Sequence, residues 1–113
     1  MGTKEIDILT VQDLLELTKN ESLWLSDIMF NFPVDNNSIS CSLNLLSTHN
    51  RKTIIELNPN LSSNEIIINE LIELIKSKPQ NKLFFCCNDT QYTIYGYDKI
   101  DANNEWECVF LLT

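Results

Sequence analysis

The chain is short of glycine, arginine and histidine. Two glycines in 113 residues exclude the glycine-rich turns that cradle phosphate in nucleotide-binding loops. His49 is the sole histidine and Arg51 the sole arginine. None of the four cysteines, Cys41, Cys86, Cys87 and Cys108, forms a C-x-x-C pair, so zinc-ligand spacing is lacking. No apolar run approaches the roughly 20 residues that span a bilayer. The N-terminal MGTKEIDILT lacks the basic-then-apolar pattern of a signal peptide. Gly2 follows Met1, but Ile6 breaks the myristoylation pattern.

Positive charge is scarce as well. Eight Lys and Arg stand against 16 Asp and Glu, for a net charge of −8 and a pI near 4.4. Such a chain is repelled by nucleic acid and by anionic membrane surfaces, and is drawn to a basic partner. The same acidity also keeps a small protein in solution. These features predict a cytoplasmic protein that is not secreted, with reduced and mostly buried thiols. A Cys41–Cys108 disulfide is the alternative pairing. N-x-S/T matches at Asn20, Asn36, Asn60 and Asn88 are expected by chance in a chain this rich in Asn, Ser and Thr. Abundant Asn, Ile and Lys beside a single arginine fit an AT-rich genome.

What is present is ordinary for a globular chain: 43% hydrophobic and 21% charged residues. The length predicts one domain over residues 1–113, large enough to bury a core without staples. The most periodic stretch is Ser62 to Lys78. On a helical wheel Leu74, Ile67, Leu71, Ile75, Ile68 and Ile72 share an arc of roughly 160°, the width of a helix laid on a sheet. Ser62 with Glu65 reads as a capping box, and Lys76, Lys78 and Pro79 mark the end. Pro59 precedes it as a residue unfit for a strand ladder. An earlier helix is predicted from a Thr10–Asp13 cap to about Asn20, with Val11, Leu14, Leu15 and Thr18 on one face.

Lys4–Leu9 reads as a short strand or a lead-in. Glu21–Phe32 fits either period, and a strand over Asp27–Val34 is favoured. After an Asp35-Asn36-Asn37 turn, Ile39, Cys41, Leu43 and Leu45 alternate with polar residues as a half-buried strand. Thr53–Leu57 is the next strand, beyond a turn at Ser47–Lys52. Lys82–Asn88, apolar on both faces, reads as a central strand. Thr90–Tyr97 is its partner, with a bulge at Gly96, Tyr92 and Ile94 on one face, and Thr93, Tyr95 and Tyr97 on the other. Asp98–Asn104 reads as a polar loop. Glu105–Thr113 closes the chain, with Trp106, Cys108, Phe110 and Leu112 sharing a face. The order α-βββ-α-βββ implies an α+β fold, a mostly antiparallel sheet of about five to six strands carrying two helices.

Four constellations could bear chemistry. Ser47–Lys52 gathers His49, Arg51 and Lys52, groups suited to phosphate binding or acid–base work, with no second histidine and no identified nucleophile. Asp98, Asp101, Glu105 and Glu107 surround Trp106 without the spacing or glycine of a calcium loop. Aromatics anchor interfaces and charge steers association, so Asp98, Asp101, Glu105, Trp106 and Glu107, with Tyr95 and Tyr97 nearby, form the candidate partner-binding set. The tyrosines Tyr92, Tyr95 and Tyr97 could stack bases, but no basic groove accompanies them; sheet packing is the plainer reading. Glu65, Asn69, Glu70 and Glu73 read as a solvated helix face beside Lys76.

No catalytic residue, metal site or cofactor is predicted. The chain reads as a non-enzymatic protein-binding inhibitor whose acidic surface occludes a basic partner, without contact to nucleic acid or membrane. In size, acidity and α+β build it resembles immunity proteins, antitoxins and phage anti-defence inhibitors, anti-CRISPR proteins among them. Type III secretion chaperones have a comparable size, charge and opening order but usually close with a helix; a chaperone or homodimeric scaffold is therefore one alternative. A small hydrolase or phosphate-binding enzyme using His49 and Arg51 is the other.

Overall fold

Thr10 opens the first helix as its sequence requires. Its hydroxyl accepts the Asp13 backbone N–H at 3.2 Å, and the Asp13 carboxylate accepts the Thr10 and Leu9 N–H groups, each at 3.0 Å. The reciprocal box satisfies donors that a helix start leaves orphaned. The computed structural model describes residues 4–21, 26–33, 38–59, 66–102 and 105–113, and the side chains of 8–21, 26–33, 38–59, 68–99 and 108–113. Among them the order is β1 (Lys4–Ile8), α1 (Val11–Asn20), β2 (Asp27–Asn31), β3 (Ser38–Ile39), β4 (Cys41–Ser47), β5 (Lys52–Pro59), β6 (Ile66–Ile67), α2 (Ile68–Ile75), β7 (Lys82–Cys87), β8 (Thr90–Tyr92), β9 (Ile94–Ala102) and β10 (Glu105–Leu112).

The fold is α+β, but the strands make two sheets rather than one. The first has the order β1-β9-β10-β2-β3, with β6 also on β2; the second has the order β4-β5-β7-β8. Without the two-residue strands β3 and β6, each sheet has four strands. Both are mixed, because β10 runs parallel to β2 and β5 parallel to β7, while the remaining pairs are antiparallel. The expected single sheet fails at one-residue breaks. Ser40 separates β3 in the first sheet from β4 in the second, and Thr93 separates β8 from β9. An alternating sequence reads as one strand across such a break, yet a single reoriented residue carries the chain to another sheet.

Backbone hydrogen bonds hold the corners. Leu83 N–H donates to the Leu9 carbonyl at 3.0 Å and Val11 N–H to the Asn81 carbonyl at 2.9 Å, so the end of β1 reaches β7. Thr93 and Thr113 exchange both of their bonds, at 3.1 and 2.9 Å. Asn81 is buried, and its Nδ2 donates to the Thr48 carbonyl at 3.1 Å and to Thr53 Oγ1 at 3.2 Å. This one side chain ties the β4–β5 turn to the start of β7.

The second helix is shorter than its periodicity predicts. Ile66 and Ile67 pair with Ile28 and Asp27 as strand β6, and the Ile68 N–H donates to the Ser26 carbonyl at 2.9 Å. Tertiary pairing with β2 overrides helical propensity there. The Ser62–Glu65 box lies outside the described residues, as does the Asp35–Asn37 turn. Within α2 the predicted face holds: Ile68, Leu71, Ile72 and Ile75 are buried and Asn69, Glu70 and Glu73 exposed. Burial contributes about 2 kcal/mol per side chain. Pro59, expected outside any ladder, ends β5 opposite Cys41; the β5–β7 register stops at Glu56, so β5 is paired on one side only there and a missing N–H is tolerated.

One core joins both sheets and both helices. Phe30 of β2 meets Phe85 of β7 with ring centroids 5.4 Å apart, and Phe110 of β10 at 5.9 Å. Phe32 meets Tyr92 edge-on at 5.3 Å. All four cysteines are free thiols, with Cys41, Cys87 and Cys108 buried and Cys86 half-buried. The radius of gyration is 13.0 Å, the size of a well-packed domain of this length. No helix among the described residues is long and apolar enough to cross a membrane.

Candidate functional site

The acidic stretch expected as a loop is a strand pair. β9 runs through Ala102, and β10 returns in register with Trp106 opposite Asp101, Glu107 opposite Ile100 and Val109 opposite Asp98. On its other edge β10 meets β2, with Glu107 opposite Asp27 and Val109 opposite Met29. Residues directly opposite share a sheet face, and faces alternate along a strand. Cys108, Phe110 and Leu112 belong to the core. The Asp98–Val109–Met29 row therefore lies on the opposite face, where Asp98, Asp27 and Met29 are half-buried and Val109 and Leu111 are buried. The neighbouring row is Ile100–Glu107–Asp27 in backbone register. The side chains of Asp101, Glu105, Trp106 and Glu107 lie outside the described ones.

The two tyrosines of the candidate set part company. One step on β10, Leu111 to Leu112, spans two on β9, Gly96 to Ile94. Tyr95 is the extra residue of a bulge, placed beside Gly96 as its sequence suggests, and 42% exposed. The bulge reverses the alternation, so Tyr97 turns to the core side with Ile94 and is 2% exposed. Tyr97 is a core residue and leaves the partner-binding set. Tyr95 lies six residues before Asp101, about 20 Å along an extended strand, so it flanks the acidic rows without joining them.

Burial raises the Tyr97 hydroxyl above its usual range, and the Glu21 carboxylate and Cys108 push it further, with a Tyr97–Glu21 hydrogen bond adding to the shift. Lys99 Nζ donates to the Glu21 carbonyl at 3.3 Å, which ties β9 to the end of α1. Burial also pushes the Cys108 thiol up to about 12; Lys99 lowers it and Asp98 raises it. The Asp98 charge is thus felt inside the sheet it decorates.

Asp27 belongs with the acidic strands and sequence reading missed it. The only signal was a carboxylate opening a predicted strand. Its proximity to Glu107 depends on a parallel pairing between segments that are far apart in the chain.

The other constellations stay dispersed. His49 is exposed, and its backbone N–H is held by Ser47 Oγ at 3.1 Å. Asn50 and Arg51 turn the chain at φ 58° and 60°, closed by Lys52 N–H on the His49 carbonyl at 3.1 Å. Glu73 pairs with Lys76 at 2.8 Å on the solvent side of α2. A shallow open groove of about 500 Å³ runs between the helices, lined by Gln12, Leu15, Lys19, Ile72 and Glu73 among others. Among the described residues no three His, Cys, Asp or Glu side chains converge as metal ligands, and every buried side-chain nitrogen and oxygen has a partner. No known family, curated protein or solved structure matches the chain.

Proposed function

We propose that this chain is a non-enzymatic protein-binding module of the inhibitor or immunity type, working in a cytoplasm. It uses the acidic rows on the face of the first sheet turned away from Cys108 and Phe110 to cover a basic surface on its partner. The observation that carries the reading is the β9–β10–β2 register, which sets Asp98, Glu107 and Asp27 on adjacent strands of a chain with net charge −8. Lysines and arginines that normally hold nucleic acid or a substrate would meet carboxylates instead. Asp101, Glu105 and Trp106 lie further along the same strand pair; Glu105 keeps the alternation of Glu107, whereas Trp106 and Asp101 fall in the alternation of Cys108, so the acidic rows and not Trp106 carry the proposal.

The test is capture of a partner from the native host on immobilised protein, followed by charge reversal. D98K with E107K is expected to weaken the identified complex at least tenfold, while E70K with E73K, on the exposed side of α2, leaves it intact. Retention of no basic protein at low salt would end the proposal. So would a complex sensitive only to the α2 pair.

A further inference from the structure

We infer that two copies of this chain associate through β4, edge to edge and antiparallel. The association joins the two four-stranded sheets into one. It rests on features separate from the acidic face.

β4 is a terminal strand of its sheet, paired on one side with β5 and with no described strand on the other. It is seven residues long, so a row of its backbone donors and acceptors has no strand partner among the described residues. Natural edges of this length are usually guarded by lysine, proline or inward charge. β4 has none of these, and no charged residue occurs from Asn36 through Thr48. Its one guard is a bulge near the end, where Leu45 pairs with Ile55 and Ser47 with Ile54. Cys41 through Leu45 keep regular register.

The other described edges differ. β1 carries Lys4, Glu5 and Asp7, β8 is three residues long and adjoins Asp89, and β3 and β6 are two residues each. Leu45 and Leu46 are 37% and 47% exposed, two of the four exposed large hydrophobic side chains among the described residues.

Charge selects the occupant. In a chain of net charge −8, two copies repel wherever carboxylates face each other. The uncharged edge is where they can approach at least cost. The strand is also self-complementary. A two-fold axis in an antiparallel ladder sets a residue against its own copy, so odd positions meet odd positions. Cys41, Leu43 and Leu45 of one protomer then share a face with the same residues of its partner. Ser42 and Asn44 share the other face. Leu43 already packs on the core cluster, so the copy's leucines extend that core across the new seam.

Sedimentation equilibrium of the full chain at about 100 μM tests this by mass action. The expected mass is twice 13.1 kDa, falling to the single value for L45K with an unchanged circular dichroism spectrum. N44K, on the opposite face of the same edge, is expected to act alike and decides the matter if L45K fails to fold. A monomeric wild type overturns the inference, as does a dimer that a folded edge variant leaves intact. Neither result depends on the acidic face: D98K with E107K is expected to leave the dimer in place.

Discussion

At the scale of single residues the thiols differ most. Burial, assisted by Cys87, pushes Cys41 up to about 12, and burial pushes Cys108 to the same value. The folded protein therefore holds both protons where an unfolded chain, with the ordinary thiol value of 9.0, releases them. Above that value the unfolded state binds fewer protons, so stability falls as pH rises. The window runs from about pH 9 to 12, with a slope approaching 1.4 kcal/mol per unit for each thiol. Chemical denaturation at pH 8 and pH 10 reads the loss, and C41A with C108A is expected to reduce it, leaving the smaller share from Cys87 and Tyr97, which are also raised. Alkylation follows the same order. Half-buried Cys86 is expected to react in the native protein, and Cys41 and Cys108 only after unfolding; peptide mass spectrometry after brief labelling distinguishes them.

Asn81 is the polar counterpart. Replacing it by Ala strips Thr53 Oγ1 and the Thr48 carbonyl of their donor. An unsatisfied buried group costs about 1–3 kcal/mol, which a urea melt of N81A measures directly.

Elements depend on local chemistry, most visibly in the turns. The β7–β8 hairpin closes through Asn88 and Asp89 at φ 51° and 64°, a two-residue loop that wants glycine in its second position. A chain with two glycines places aspartate there. D89G is expected to raise stability by about 0.5–1 kcal/mol and the melting temperature by a few degrees. T10A, which removes the hydroxyl half of the α1 box, costs about 1 kcal/mol.

Such local signals are why much of the secondary structure was legible. The Thr10–Asp13 cap, the buried face of α2, the Asn88–Asp89 turn and the last strand all follow from spacing and turn chemistry. The second sheet did not. Ser40 and Thr93 look no different from other polar positions in an alternating run, and the energy that redirects the chain there comes from long-range pairing. The bulge at Tyr95 was legible through Gly96, but its consequence for Tyr97 was not, because face assignment needs the register of β10. For the site, the acidic residues were legible as composition. Their alignment with Asp27 depended on strand order.

For the whole molecule, two proposed interfaces share one charge and should respond to salt with opposite signs. The acidic face attracts a basic partner, and ions screen that attraction. The β4 edge joins two chains of net charge −8, and ions screen their repulsion. At about 20 mM salt the Debye length exceeds 20 Å, while at about 500 mM it falls below 5 Å. Raising salt across that range is expected to weaken the partner complex at least tenfold and to tighten the dimer several-fold. Sedimentation of the chain alone and titration with the identified partner, both at the two salt levels, measure the pair of slopes. A dimer that dissociates with salt would mean that carboxylates and lysines hold it, which places the contact elsewhere than the uncharged edge. A partner complex that tightens with salt would mean apolar contact dominates, and the acidic face would then be a solvated surface.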